Sequence, residues 1–90
     1  MPDEPLLRDK AREAIRSGKL PRRPPDRTFG APGSGESCAV CGEPVAQDQM
    51  LLEIEYWRHG ARPGLESYHL HLRCHAAWEF ERTKVGTRSA

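Results

Sequence analysis

The chain has 90 residues, of which 37% are hydrophobic and 30% are charged, and its formal net charge is +1. A chain of this length forms one small domain with a thin core, and such domains commonly need a metal ion or disulfides for stability. The three cysteines, an odd number, argue against a secreted disulfide framework, and no apolar run reaches the length of about 18 residues that a transmembrane helix needs. Together with an N-terminus that lacks the pattern of a signal peptide, these features predict a cytoplasmic protein with no membrane partner.

Residues 1–19 are predicted to form an amphipathic basic helix. Asp3 is a suitable cap for its start, and Gly18 is suited to the position just after its end. Between them, apolar side chains recur at helical spacing: Leu7, Ala11, Ala14 and Ile15. This apolar stripe is narrow, so two alternatives stay open. The helix docks on the rest of the protein or on a partner, or it stands alone and frays.

Residues 20–35 are predicted to be a linker, because their four prolines and three glycines oppose regular structure. Residues 8–27 contain eight Lys or Arg against three acidic residues, a net charge of +5, whereas residues 28–90 carry −2. The helix and linker are therefore interpreted as a basic arm that gives electrostatic affinity for an acidic partner, either nucleic acid or protein. The side chains expected to contact this partner are Arg16, Lys19, Arg22 and Arg23.

Two short segments predict a metal site in the remaining part, residues 36–84. Cys38 and Cys41 are separated by two residues, and Gly42 follows them at a position suited to a tight turn. After 29 intervening residues, His71 and Cys74 are again separated by two residues. Three thiolates and one imidazole form the closed tetrahedral set of a structural zinc site. A redox pair and three inert thiols are the alternatives, although a thioredoxin-like motif would require a βαβ unit around the cysteines.

The residues between the two ligand pairs predict a β-hairpin. The first strand alternates apolar and acidic residues, with Glu53 and Glu55 expected on a solvated face and Trp57 facing outward with them. The apolar residues of the two strands are Met50, Leu52, Ile54 and Tyr56 in the first, and Tyr68, Leu70 and Leu72 in the second.

From Arg73 the pattern becomes helical, and four residues fall on one face of the helix: Cys74, Ala77, Trp78 and Glu81. Trp78 is expected in the core, where it would pack the helix on the hairpin. Gly86 is expected to end the helix, and residues 85–90 are predicted to form a disordered tail.

Four histidines compete for the fourth ligand position. His71 has the three-residue spacing to Cys74 that suits a metal site, and His69 is the alternative ligand on the same strand face. His75 would point elsewhere around the helix, and His59 lies in the hairpin loop.

The predicted fold is a small α+β zinc-stabilised domain, with a β-hairpin and a C-terminal helix preceded by an N-terminal helix and a linker. The order of cysteine turn, hairpin and ligand-bearing helix over residues 36–84 resembles the treble-clef zinc finger. The chain is also similar to an uncharacterised family of small proteobacterial proteins, a resemblance that implies no known activity. The segments that carry it are Gly18-Lys19-Leu20-Pro21, the cysteines, and Trp78-Glu79-Phe80-Glu81-Arg82.

These features favour a noncatalytic zinc-binding adaptor or regulatory protein, with no catalytic residues. One alternative is a treble-clef metal-dependent nuclease that uses His69, His71 and His75. The sequence contains no asparagine, however, and a cysteine-rich closed site leaves no position for water. A second alternative is a thiol/zinc redox sensor, since oxidation of thiolates can release zinc.

Overall fold

The computed structural model describes residues 4–88, which form two helices and a three-stranded antiparallel sheet. The strands lie in the order β1-β2-β3, and α2 packs against the sheet on one side and against α1 on another. This architecture confirms the predicted small α+β fold class. The elements are α1 (Glu4–Arg16), β1 (Arg27–Pro32), β2 (Met50–Arg58), β3 (Gly64–His71) and α2 (Leu72–Arg88).

The N-terminal helix is part of the core. Its predicted apolar residues are all buried, with Leu7 only 1% exposed, and they pack in one cluster with residues of α2 and the sheet. Of the two alternatives for this helix, the structure shows the docked one, so the interpretation as a basic arm separate from the folded domain is wrong. The cap expected at Asp3 lies outside the described residues.

The prediction that residues 20–35 lack regular structure is wrong, because β1 forms within them. β1 pairs with β2 from Arg27 opposite Glu55 to Pro32 opposite Met50. An edge strand needs hydrogen bonds on one side only, so a proline at its end is tolerated and β2 supplies the pairing. Leu20, 1% exposed, is also part of the core rather than of a linker.

The predicted hairpin is confirmed, since β2 and β3 pair from Leu51 opposite His71 to Arg58 opposite Gly64. Ile54 and Tyr56 are buried as expected, but the buried side of β2 changes towards its start. Met50 is 49% exposed, whereas Leu51, on the opposite face, is 4% exposed. Leu51 lies opposite His71, so it is buried on the side of the sheet where the cysteine cluster lies.

Two residues of the hairpin differ from the expectation. Glu55, predicted on a solvated face, is 6% exposed and accepts hydrogen bonds from the Arg27 guanidinium at 3.0 and 3.1 Å. Leu72, predicted at the end of the second strand, is the first residue of α2 and is exposed. For Glu55 the environment is decided by a partner on the neighbouring strand, which alternation cannot show.

α2 buries the face that the sequence predicted, with Cys74, Ala77, Trp78 and Glu81 all inside. The helix runs to Arg88 and therefore passes Gly86, where it was expected to end. A glycine within a helix costs about 1 kcal/mol relative to alanine, which weakens a helix without ending it. Residues 89–90 of the predicted tail lie outside the described residues. Neither α1 nor α2, as far as they are described, is long and apolar enough to cross a membrane.

Candidate metal centre

Cys38 and Cys41 lie in a tight turn between the end of β1 and the start of β2. Ser37 and Pro44 form an isolated antiparallel bridge across this turn, and the Cys38 backbone N–H donates to the Glu43 carbonyl at 2.9 Å. The Gly42 N–H donates to the Cys38 carbonyl at 2.9 Å, with a φ of 81° that favours glycine. We call residues 37–44 the knuckle, since this backbone brings both sulfurs to the same side.

The second ligand pair lies where β3 meets α2. His71 is the last residue of β3, and Cys74 lies in the first turn of α2. The Ala39 backbone N–H donates to the His69 carbonyl at 2.8 Å, which attaches the knuckle to β3 just before this junction. A strand, a helix start and a turn therefore meet at one point.

The four predicted side chains come together there. The Sγ atoms of Cys38, Cys41 and Cys74 and a ring nitrogen of His71 all lie within 4.8 Å of one another, close enough to hold a metal ion. The His71 Nδ1 atom lies 3.4 Å from Cys41 Sγ and 3.9 Å from Cys74 Sγ. Tetrahedral coordination with the usual metal–ligand bond lengths separates a sulfur and a nitrogen ligand by about 3.6 Å. The observed separations fit such a sphere.

A backbone carbonyl fixes the orientation of the His71 ring. The Nε2 atom lies 3.1 Å from the Pro44 carbonyl oxygen, which can only accept, so Nε2 carries the proton and donates it. The lone pair of the neutral ring is then on Nδ1, which faces the sulfurs. Metal-ligating histidines commonly have such a partner on the other ring nitrogen. Sequence reasoning missed this contact, because a backbone carbonyl leaves no signal in the side-chain pattern.

The residues after β1 support the knuckle from behind. The Gly35 N–H donates to the Val45 carbonyl at 2.9 Å, and the Val45 N–H donates to the Glu36 carbonyl at 2.8 Å. Gly33 is buried here, and a Cβ added to it would lie 2.3 Å from the Ala46 carbonyl oxygen. Gly33, one of the glycines that predicted a linker, therefore permits a close backbone contact with the segment that follows the knuckle.

The protonation of the cluster depends on mutual contacts. A hydrogen bond with the Cys74 thiol lowers the pKa of Cys38, and the same bond, in which Cys74 is the donor, raises the pKa of Cys74 together with its burial. Burial raises the pKa of Cys41. Without a cation the cluster therefore favours one thiolate and two thiols, because three adjacent thiolates would repel one another. A divalent cation reverses this balance and ionises the coordinating thiols.

The other histidines lie outside the cluster. His69 Nε2 lies 3.8 Å from a carboxylate oxygen of Glu53, on the face of the sheet away from α2. His75 is largely buried beside Trp78, with ring centroids 5.7 Å apart, and burial lowers its pKa. His59 is exposed in the hairpin loop. Only His71 among them has a ring nitrogen within the group of ligand atoms.

Several of the basic residues assigned to the arm have acidic partners within the chain. Arg16 pairs with Glu13, and Arg23 lies 3.7 Å from a carboxylate oxygen of Asp26. Lys19 and Arg22 are exposed and make no ion pair with the residues that the structure describes. The excess charge of this segment is therefore partly neutralised by its own fold.

No family model, no curated protein and no solved structure matches this chain. The functional conclusion therefore depends on the geometry of the site and on the surface around it.

Proposed function

We propose that the chain binds one zinc ion through Cys38, Cys41, His71 and Cys74, and that this ion is structural. The observation that carries the proposal is the convergence of four ligand atoms within 4.8 Å of one another. Three thiolates and one imidazole in a tetrahedral arrangement are typical of structural zinc sites. The hydrogen bond of His71 to the Pro44 carbonyl supports it, because it holds the ring with Nδ1 towards the sulfurs before any metal binds.

A closed coordination sphere favours a noncatalytic role. Four protein ligands complete a tetrahedral zinc and leave no position for a water or substrate. Cys38, His71 and Cys74 are at most 3% exposed, so solvent has little access to the site. The order of knuckle, hairpin and helix resembles a treble clef, in which zinc joins a turn to the start of a helix. A nuclease would need an open position on the metal.

We infer that the folded unit acts as an adaptor or regulatory protein whose surface binds an acidic partner. The support for this role is the exposed basic side chains near the start of β1, among them Arg22, on a scaffold that zinc and the two helices hold rigid. A thiol/zinc redox sensor is the second candidate. The observation that favours it is the partial exposure of Cys41, the one ligand that an oxidant can reach.

Native mass spectrometry tests the zinc proposal. We expect one zinc per chain, with a mass that shows the loss of the protons that the thiols carried. Cobalt substitution should give the visible absorption of a tetrahedral site with thiolate-to-metal charge transfer. A protein that is folded and free of metal would contradict the proposal.

A pair of histidine variants tests the ligand assignment. His71→Ala should reduce zinc affinity strongly, whereas the matched control His69→Ala should bind zinc like the wild type, because His69 faces Glu53 instead. If His69→Ala lost zinc and His71→Ala retained it, the ligand set would be wrong. The redox-sensor candidate has its own test. Peroxide should release zinc from the wild type at a rate comparable to that of known sensors, and slow release would contradict a sensor function.

A further inference from the structure

The sheet has one face that α2 covers and one that is largely open. The register places Arg27 and Phe29 of β1, Glu53, Glu55 and Trp57 of β2, and Leu65, Ser67 and His69 of β3 on the second face, which we call the open face. At one end the same face continues to Leu51 and His71, which are buried beside the cysteine cluster. Three large apolar side chains on it are exposed, Phe29 by 40%, Trp57 by 48% and Leu65 by 41%. Trp57 and Leu65 lie directly opposite each other, so they form one platform at the hairpin end. Exposed aromatic groups collected on one face indicate a contact surface.

Between Trp57 and Phe29 the open face is polar. Arg27 pairs with the buried Glu55, and its guanidinium also lies over the Phe29 ring, 4.7 Å from the centroid. Glu53 lies opposite Phe29 and near His69. Phe29 lies opposite Glu53, which is four residues from Trp57 along β2. The two aromatic residues are therefore about 13 Å apart along the strand direction. The open face thus offers aromatic surface on both sides of a polar centre, where the Arg27 guanidinium is paired with Glu55.

Positive charge collects at the rim of this face, around the hairpin end. The arginines there are Arg22, Arg23, Arg58 and Arg62. Arg23 pairs with Asp26 and Arg58 pairs with Glu66, so Arg22 and Arg62 supply the charge that has no ion pair among the described residues. The segment before β1 is fixed beside Trp57, because the Trp57 N–H donates to the Asp26 carboxylate at 2.7 Å and the Arg23 guanidinium lies 4.6 Å from the Tyr56 ring centroid. By contrast, residues 36–53 at the other end contain four acidic residues and no Lys or Arg. The hairpin end of the sheet is therefore more positive than the opposite end.

We propose that the open face binds single-stranded nucleic acid, with unpaired bases stacked on Trp57 and Phe29 and phosphates held by the arginines of the hairpin end. This inference rests on the adaptor role proposed above and names its acidic partner. Proteins that bind single strands without sequence preference combine aromatic stacking surfaces with positive charge along the backbone path. In a duplex the bases are already stacked on one another, so the exposed rings would have no base to receive.

The distribution of charge favours a nucleic acid over an acidic protein. A single strand presents neutral, flat bases beside charged phosphates, which matches exposed aromatic rings on the open face and arginines around its hairpin end. Amino groups of bases can donate to the carboxylate of Glu53. An acidic peptide would instead bring carboxylates onto a face that already contains Glu53 and Glu55, where like charges repel.

Fluorescence anisotropy with labelled short oligonucleotides of dT and of rU, and a duplex of the same length, tests the proposal on the full zinc-loaded chain. We expect the single strands to bind more tightly than the duplex, and the relative affinity for dT and rU to show whether DNA or RNA is preferred. Trp57→Ala should weaken binding about 5- to 100-fold, as expected for loss of one stacked base. The matched control is Phe80→Ala, an aromatic 46% exposed on α2. It should bind like the wild type.

Tryptophan emission gives an independent readout. The two tryptophans differ in exposure, since Trp78 is fully buried and Trp57 is half exposed. A base stacked on Trp57 should quench its emission, and this quenching should vanish in Trp57→Ala while Trp78 still emits. Phe29→Ala provides a second variant of the same face and should weaken binding in the same direction.

Charge variants locate the phosphate path. Replacing Arg22 and Arg62 with Gln should flatten the log–log salt dependence by up to about 0.7 per lost phosphate contact. Replacing Lys10 and Lys84, which lie on the helices, removes the same charge and should leave the slope unchanged.

Four results would overturn the inference: no binding at low salt, equal or tighter binding of the duplex, unchanged affinity of Trp57→Ala, or full displacement of the strand by polyglutamate, which would indicate an acidic protein partner. Zinc content is measured on the same samples. If the zinc-loaded protein does not bind the oligonucleotides, only the nucleic-acid proposal is contradicted. If metal-free protein binds them, only the zinc proposal is contradicted.

Discussion

The two ends of β2 differ in the kind of contacts that surround them. At the end near Leu51, the knuckle, His71 and the start of α2 bring together four atoms that lie close enough to hold a metal ion. At the hairpin end, aromatic donors bond to backbone carbonyls, with the Tyr56 hydroxyl donating to Arg23 at 2.9 Å and Trp78 Nε1 donating to Pro21 at 3.1 Å. In our proposal a metal ion from solution completes the first arrangement, whereas the second is complete within the chain.

α2 connects these two ends. Its first turn carries Cys74, and one turn later Trp78 lies in the core that also contains Leu7 of α1. Glu81, fully buried, accepts hydrogen bonds from the Arg12 guanidinium and so joins α2 to α1 by a polar contact as well. Disruption of the cysteine–histidine cluster should therefore also destabilise α1, although α1 contains no ligand.

Removal of the metal has the largest expected effect. Structural zinc contributes roughly 10 kcal/mol or more of free energy coupled to folding, which is comparable with the whole stability of a small domain. We expect Cys74→Ser or a chelator to unfold residues 36–84 and also to loosen α1, because α1 packs on the helix that carries Cys74. The alternative in which the helix stands alone would leave the first 20 residues barely altered.

Circular dichroism and the emission of Trp78 measure this loss. Helical signal should fall beyond the contribution of α2, and the Trp78 emission should move to longer wavelength. Ser67→Ala, at an exposed position on β3, is the control and should change neither signal. If the chelated protein retained all its helix and a cooperative thermal transition, the two ends would be independent.

The next largest effect concerns the helical side of the core. Leu7→Ala should lower the free energy of unfolding of the zinc-loaded protein by about 2–5 kcal/mol, since the side chain is fully buried. Zinc stoichiometry should not change, because Leu7 lies on α1 and the ligands lie elsewhere. Leu6→Ala, at a position 45% exposed on the same helix, is the matched control and should cost far less. Urea denaturation distinguishes them, and equal costs would contradict the docking of α1.

The sequence predicted the two ligand pairs of the candidate metal centre and most of α2, because both depend on short-range spacing. Cys38 and Cys41 share a turn, and Cys74 and Trp78 share a helix face, so their neighbours in the chain determine where they point. β1 escaped prediction because its pairing with β2 decides it, against the local preference of its glycine and proline. The burial of Leu51 and Glu55 escaped for the same reason, since His71 and Arg27 reach them only after the strands pair.

An intermediate effect is expected at Gly33, which packs against the backbone segment that follows the knuckle. Gly33→Ala places a Cβ against the carbonyl oxygens of Val45 and Ala46, and backbone atoms move less easily than side chains. We expect a loss of about 1–3 kcal/mol in the unfolding free energy of the zinc-loaded protein. Gly30→Ala, which would meet the side chain of Met50, is the control with a smaller cost. Equal melting temperatures of the two variants would contradict a tight contact at Gly33.

The smallest effect lies at the hairpin end, where Tyr56→Phe removes the hydroxyl that donates to the Arg23 carbonyl. The loss of one such hydrogen bond should cost about 1 kcal/mol and leave zinc binding unchanged. The variant also tests the pH dependence of this end, because burial raises the pKa of Tyr56 to about 12. In the unfolded chain the phenol ionises near pH 10, so the folded state favours the protonated form.

The sign of this pH effect follows from the higher pKa of the folded state. The stabilisation from the neutral phenol is complete below about pH 10 and is lost as the pH rises through about 12. Unfolding free energies measured across this window should fall more steeply for the wild type than for Tyr56→Phe. Tyr68→Phe is the comparison, since burial also raises the pKa of Tyr68, but its hydroxyl lies near Glu66 rather than a backbone carbonyl. If Tyr56→Phe followed the wild-type curve, the hairpin end would not depend on this hydroxyl.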